Sequence, residues 1–241
     1  TNQVAAIETG DIGSLTTAAV QGLSTSGIQA LTTDQVAALT TAQVAALKTT
    51  QVAALDTDSV AALTTNDVKV LTSAQIKALT TEQIVALSTD QVGVLTTAQV
   101  AALTTAQIAA IETGDIAALG TLQIKALSSA QAAALTTNQI AAIETGDIGS
   151  LTTAAIRGLS TDAIVALTTD QVGVLTTAQV AALTTTQIAA VETGDIAGFD
   201  TTQIKALSSA QVAALTTNQV AAIETGDIGS LTTAAVQGLS T

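Results

Sequence analysis

The side chains best equipped for chemistry are carboxylates, and they recur at one spacing. Glu-Thr-Gly-Asp stands at Glu8–Asp11, Glu112–Asp115, Glu144–Asp147, Glu192–Asp195 and Glu224–Asp227. Two carboxylates flanking a glycine supply oxygen donors of the kind calcium takes, and a paired Asp and Glu is the equipment of a glycosidase. A local explanation competes: Glu takes the place of a helix-capping Thr, Gly eases the turn, and Asp sits at the third helical position, where negative charge suits the dipole. The local explanation is favoured over calcium. Five copies in a regular array, with Phe199 the only aromatic residue of the chain, set the glycosidase aside.

Hydroxyls form the second recurring set. Thr-Thr pairs could build a flat ladder of the kind that ice-binding solenoids present. Helix capping accounts for the same residues without a ligand, and the capping member of the pair is exchanged for Glu8, Lys48, Asp56 or Gly120, each of which would interrupt a ladder. The six basic residues, Lys48, Lys69, Lys77, Lys125, Arg157 and Lys205, are scattered as surface charges, and the glycines never gather into a phosphate-cradling loop.

Composition narrows the chemistry further. The 241 residues include no Cys, His, Met, Trp, Tyr or Pro. Thiol nucleophiles, disulfides and thiolate metal sites are thereby absent, as is the commonest metal ligand and general base. The expectation is a non-enzyme, with no catalytic, cofactor-binding or metal site and no cofactor. A net charge of -13 opposes phosphate binding and makes nucleic acid an unfavourable partner. The apolar runs, such as Ala163–Leu167, fall far short of the roughly 20 residues that a membrane span needs. Apolar residues nevertheless reach 48%, enough for burial to offset chain entropy.

The elements that must position these residues follow from an octad, Thr-x-Gln-Val/Ile-Ala-Ala-Leu-Thr, which runs without insertion from Thr1 to Ser240. Its first position is always Thr or Ser. Its fourth is Val or Ile everywhere except Ala132, and its seventh is Leu, Ile or Val everywhere except Phe199. Large apolar, small and hydroxyl positions never exchange, as a fixed inside and outside requires. A longer copy is laid over the octad, residues 81–160 recurring at 161–240, and no linker or change of composition marks a boundary. One continuous octad-repeat solenoid over residues 1–241 is expected.

Local chemistry favours helices. In Leu-Thr-Thr-Asp-Gln-Val from Leu31, Thr32 is placed as N-cap, Gln35 completes a capping box, and Leu31 with Val36 forms a hydrophobic staple. The same holds for Thr40 with Gln43, Thr80 with Gln83, and Thr96 with Gln99. Val36 and Leu39 then share a helix face. A continuous helix is excluded, because eight residues at about 100° each would rotate the apolar stripe by roughly 80° per repeat. Each octad therefore breaks and starts a new helix of about seven residues, marginal alone and held by stacking. The alternative is a β-solenoid, favoured by the many Val, Ile and Thr. Strands want inward residues at spacing two, whereas the large positions here alternate spacings of three and five. An all-α solenoid of one short helix per octad is the expected fold.

The run Leu-Thr-Thr-Ala-Gln-Val-Ala-Ala-Leu, at Leu39–Leu47 and Leu95–Leu103, resembles the octad arrays of very large secreted or surface-attached repeat proteins of Gram-negative bacteria, labelled adhesin-like, haemolysin-like or haem-utilisation proteins. The resemblance covers the whole chain and implies an architecture rather than an activity. Haem ligation does not carry over, since no His, Met or Cys is present. The helix opening is also similar to the first helix of the DNA-reading repeats of plant-pathogen effectors; that likeness stops at one helix, without their base-reading loop or their charge.

Together these readings imply a structural solenoid, extracellular or at the cell surface, that forms a stalk, filament or sheath. Its expected partner is itself, head to tail, through near-equivalent octad surfaces at Val4 and Leu239. The alternative is a binding solenoid that uses its Thr rows on ice or carbohydrate.

Overall fold

The computed structural model describes residues 2–239; Thr1, Ser240 and Thr241, the extremes of the octad run, lie outside the described residues. Among the described residues thirty short α-helices follow one another, one per octad, and there is no strand. The solenoid is therefore all-α, and the β alternative is set aside. The helices are four to six residues long, shorter than the seven expected.

What starts and stops each helix is visible in Thr41–Ala46. Thr40, with extended backbone at φ -75° and ψ 155°, accepts from Gln43 N through its hydroxyl. Its own N–H donates forward to Gln43 Oε1 at 2.7 Å. That N–H is thereby withheld from the preceding helix. Leu47, also extended at φ -57° and ψ 141°, ends the turn by donating its N–H to Val44 O. Two extended residues at the seventh and eighth positions thus reset the chain without proline and without any residue at positive φ among those described.

The chain divides into two compact units, Thr1–Leu119 and Gly120–Thr241. In the first, the helix Thr17–Gly22 packs on Thr41–Ala46, which packs in turn on Thr65–Val70. In the second, Ser129–Ala133 packs on Thr153–Gly158, and that helix on Thr177–Ala182. Each helix meets the one three octads on, while side-chain bonds reach the octad four away. A turn of each solenoid therefore takes between three and four octads, a number that the sequence left open.

The interior of each unit is lined by the fourth and seventh positions. Val36, Val44, Val60 and Ile76 are fully buried in the first unit, as are Ile140, Ile156, Val172 and Ile188 in the second, with Leu and Ile of the seventh position beside them. A pair of such side chains per octad contributes about 1.5 to 3 kcal/mol apiece, which holds helices too short to stand alone. The fifth position faces outward instead: Val85 and Val165 are exposed. The sixth position provides the close approach, since a Cβ built on Gly158 would lie 2.3 Å from Ser129 O.

Ala132 is 0% exposed and its copy Val212 is 1% exposed, so both fourth-position side chains point inward. Ala132→Val should raise the melting temperature by restoring part of the truncated packing, worth on the order of 1 kcal/mol. A lower melting temperature in calorimetry would show that the neighbouring octads have already closed over the smaller side chain.

Candidate functional site

The third position carries the side chain with the most bonds. In Gln43 the amide oxygen takes the N–H of Thr40, and the amide nitrogen crosses to the octad four earlier, donating to Ile12 O at 2.8 Å and Leu15 O at 2.7 Å. In the second unit Gln187 does the same with Thr184 N, Ile156 O and Leu159 O, each at 2.8 Å. Gln75, Gln83, Gln107, Gln179, Gln211 and others repeat the arrangement. These glutamines are almost fully buried, and a buried primary amide must place both its oxygen and its nitrogen. The capping boxes expected at Gln35, Gln43, Gln83 and Gln99 are present. The second bond set, across the turn, was not anticipated from sequence.

The eighth position tolerates substitution because only half of its capping box depends on its side chain. Lys48 and Gly120 make no side-chain cap, yet their N–H groups still donate to Gln51 and Gln123 at 2.8 and 2.7 Å.

The Glu-Thr-Gly-Asp octads work differently from the expectation. Glu8, Glu112, Glu144, Glu192 and Glu224 stand at N-caps but make no capping hydrogen bond with their side chains. The glycines have nothing within 4 Å of a built Cβ and no positive φ, so they ease no turn. Apart from the exposed Asp11, the aspartates turn toward the octad three earlier: Thr89 Oγ1 donates to Asp115 at 2.7 Å and Thr169 Oγ1 to Asp195 at 2.6 Å, with Thr121 to Asp147 and Thr201 to Asp227 alike. The motif's two carboxylates are thus separated in role, Asp inward and Glu outward. A shallow open cleft beside Glu192, Thr193 and Gly194 is completed by Thr216 and Gln219. Among the described residues no three acidic side chains gather where a metal ion could be held.

The hydroxyls also divide. Those of the eighth position, such as Thr32, Thr40, Thr80 and Thr96, accept from the backbone of their own helix. First-position residues, such as Thr41, Thr97 and Thr177, are exposed. Asp200 caps its helix by accepting from Thr202 Oγ1 at 2.7 Å and Gln203 N at 2.8 Å, and these bonds hold its carboxyl below the ordinary value.

A family model described as the ALTTAQ repeat matches residues 4–41, 37–65, 60–97, 68–105, 108–142, 140–177, 188–222 and 220–241. No curated protein matches the chain.

Gln187→Leu removes three hydrogen bonds and leaves buried backbone groups unpaired, at a cost of about 2 to 4 kcal/mol in urea unfolding. Gln187→Glu should cost more at neutral pH, because a carboxylate would face the carbonyls of Ile156 and Leu159. Burial against acceptors raises that carboxyl's pKa, so the excess penalty should vanish as pH falls through the raised value and the protonated acid regains a donor. Equal penalties at neutral and acid pH would mean the side chain has swung outward. For Asp200 the sign is opposite: its lowered pKa contributes stability at neutral pH that is lost as pH falls through the folded value. An NMR titration should find Asp200 titrating below the ordinary value of an Asp in an unfolded peptide, and a value above it would remove the cap.

Proposed function

The chain belongs to the ALTTAQ repeat family, and from that premise we propose that it is a structural spacer, a stalk or filament element working outside the cell or on its surface, and not an enzyme. One observation carries the proposal. Wherever the third position is Gln, the octad four earlier is recognised through its main-chain carbonyls, as when Gln179 holds Ile148 O and Leu151 O. Such recognition is blind to the side chains being held. An array of this kind extends by repetition, and a second copy of the chain offers the same carbonyls as its own neighbouring octads. Self-association is head to tail in this reading, a heterologous contact that propagates without closing. The resemblance to surface-attached repeat arrays supports the location, and the net charge of -13 disfavours nucleic acid. Calcium is not favoured in this reading, because the threonine hydroxyls that bond to the motif aspartates compete for the same oxygens.

Electron microscopy over a range of concentrations tests the assembly. Rods whose length grows with concentration are expected, and dispersed particles of one size at every concentration would refute self-association. The exposed first-position hydroxyls favour a second reading, a surface that binds ice or carbohydrate; thermal hysteresis or glycan-array binding by dispersed chains would support it over the spacer.

A further inference from the structure

Within Gly120–Thr241 the ladder of amides is uneven. Gln171, Gln179 and Gln187, in three successive octads, each hold carbonyls of the octad four earlier. Ala155 and Ala163, in the two octads before Asp170, stand at the same third position and have no amide to offer. By the same register they face the carbonyls of Leu127 and Leu135. Those two carbonyls accept no hydrogen bond, although Leu127 and Leu135 are 2% and 5% exposed. Ala132, the one truncated fourth position, lies in the same octad as Leu135, so that octad lacks packing volume and receives no amide from Ala163.

The same turn brings two backbones close together, an approach repeated at Gly238 against Ser209. A Cβ on Gly158 would stand 2.3 Å from Ser129 O and 2.6 Å from its hydroxyl, so only glycine lets these two backbones meet. The octad of Gly158 is therefore in close backbone contact with the octad of Ser129, three earlier, while Leu127 and Leu135 receive no amide from Ala155 and Ala163. A fixed contact beside an unbonded edge is a pivot.

We propose that the turn formed by residues 120–135 against 152–167 is a built-in hinge, which turns on the Gly158–Ser129 contact and opens at the carbonyls of Leu127 and Leu135. Bending or tension on the solenoid is taken up there before the Gln-linked octads at 168–191 yield. The hinge goes beyond the spacer reading and does not rest on it, because its opening is a property of one dispersed chain whether or not rods form.

Hydrogen exchange read by mass spectrometry on the full chain tests it. The amides of Ala132, Leu135, Ile156 and Ile164 should exchange at least about tenfold faster than those of Val172, Val180 and Ile188, the loss of one ordinary hydrogen bond being worth about that factor. The variant A155Q/A163Q should slow the first group to the rate of the second. The reciprocal variant Q171A/Q179A should create a second fast segment at 140–151, where Ile143 O and Leu151 O lose their donors. Equal exchange across both groups in the parent chain overturns the hinge, as does an A155Q/A163Q variant that folds and still exchanges fast. Should that variant fail to fold, the parent comparison and the reciprocal variant decide between the two outcomes.

Discussion

A primary amide at the third position of most octads carries the architecture. Its oxygen takes the N–H that would otherwise continue the previous helix, and its nitrogen ties down two carbonyls a turn away. The first bond makes the chain break every eight residues; the second makes the broken pieces stack. Asparagine is one methylene too short to span both, and glutamate would present an acceptor where a donor is needed. Among uncharged side chains only glutamine has the reach and both polarities.

Burial supplies the energy that this bonding directs. An isolated helix of four to six residues pays for nucleation without enough bonds to recover the cost, so the fourth and seventh positions must be covered from the octads around them. Because every octad contributes the same two side chains, stability is a sum of nearly equal neighbour terms, and departures from the average are local. Ala132 and the Ala155–Ala163 pair are such departures, and they fall on one turn.

The helix starts were legible because a capping box is written within four residues: Thr32 and Gln35 announce each other. The inward positions were legible because Val36 and Leu39 never exchange with polar residues in any octad. The cross-turn bonds were not legible, since nothing in Gln35 names a carbonyl 28 residues earlier until the number of octads per turn is known. The same gap hid the pairing of Thr89 with Asp115, 26 residues apart. For the Glu-Thr-Gly-Asp motif, residue type misled. Glu112 occupies a cap position but has one methylene more than the Asp that caps so well elsewhere, and its carboxylate stays in solvent while the helix begins without it.

The two neighbour distances bear on how such a chain can grow. Helices meet at three octads and amides reach across four. The sequence was copied in a block of ten, from 81–160 to 161–240. Contacts follow from how many octads separate two residues, so a copied octad keeps the neighbours of its original, as Gly238 meets Ser209 where Gly158 meets Ser129. Recombination by whole octads, in blocks longer than one turn, can therefore lengthen or shorten the array while reproducing the contacts inside each block.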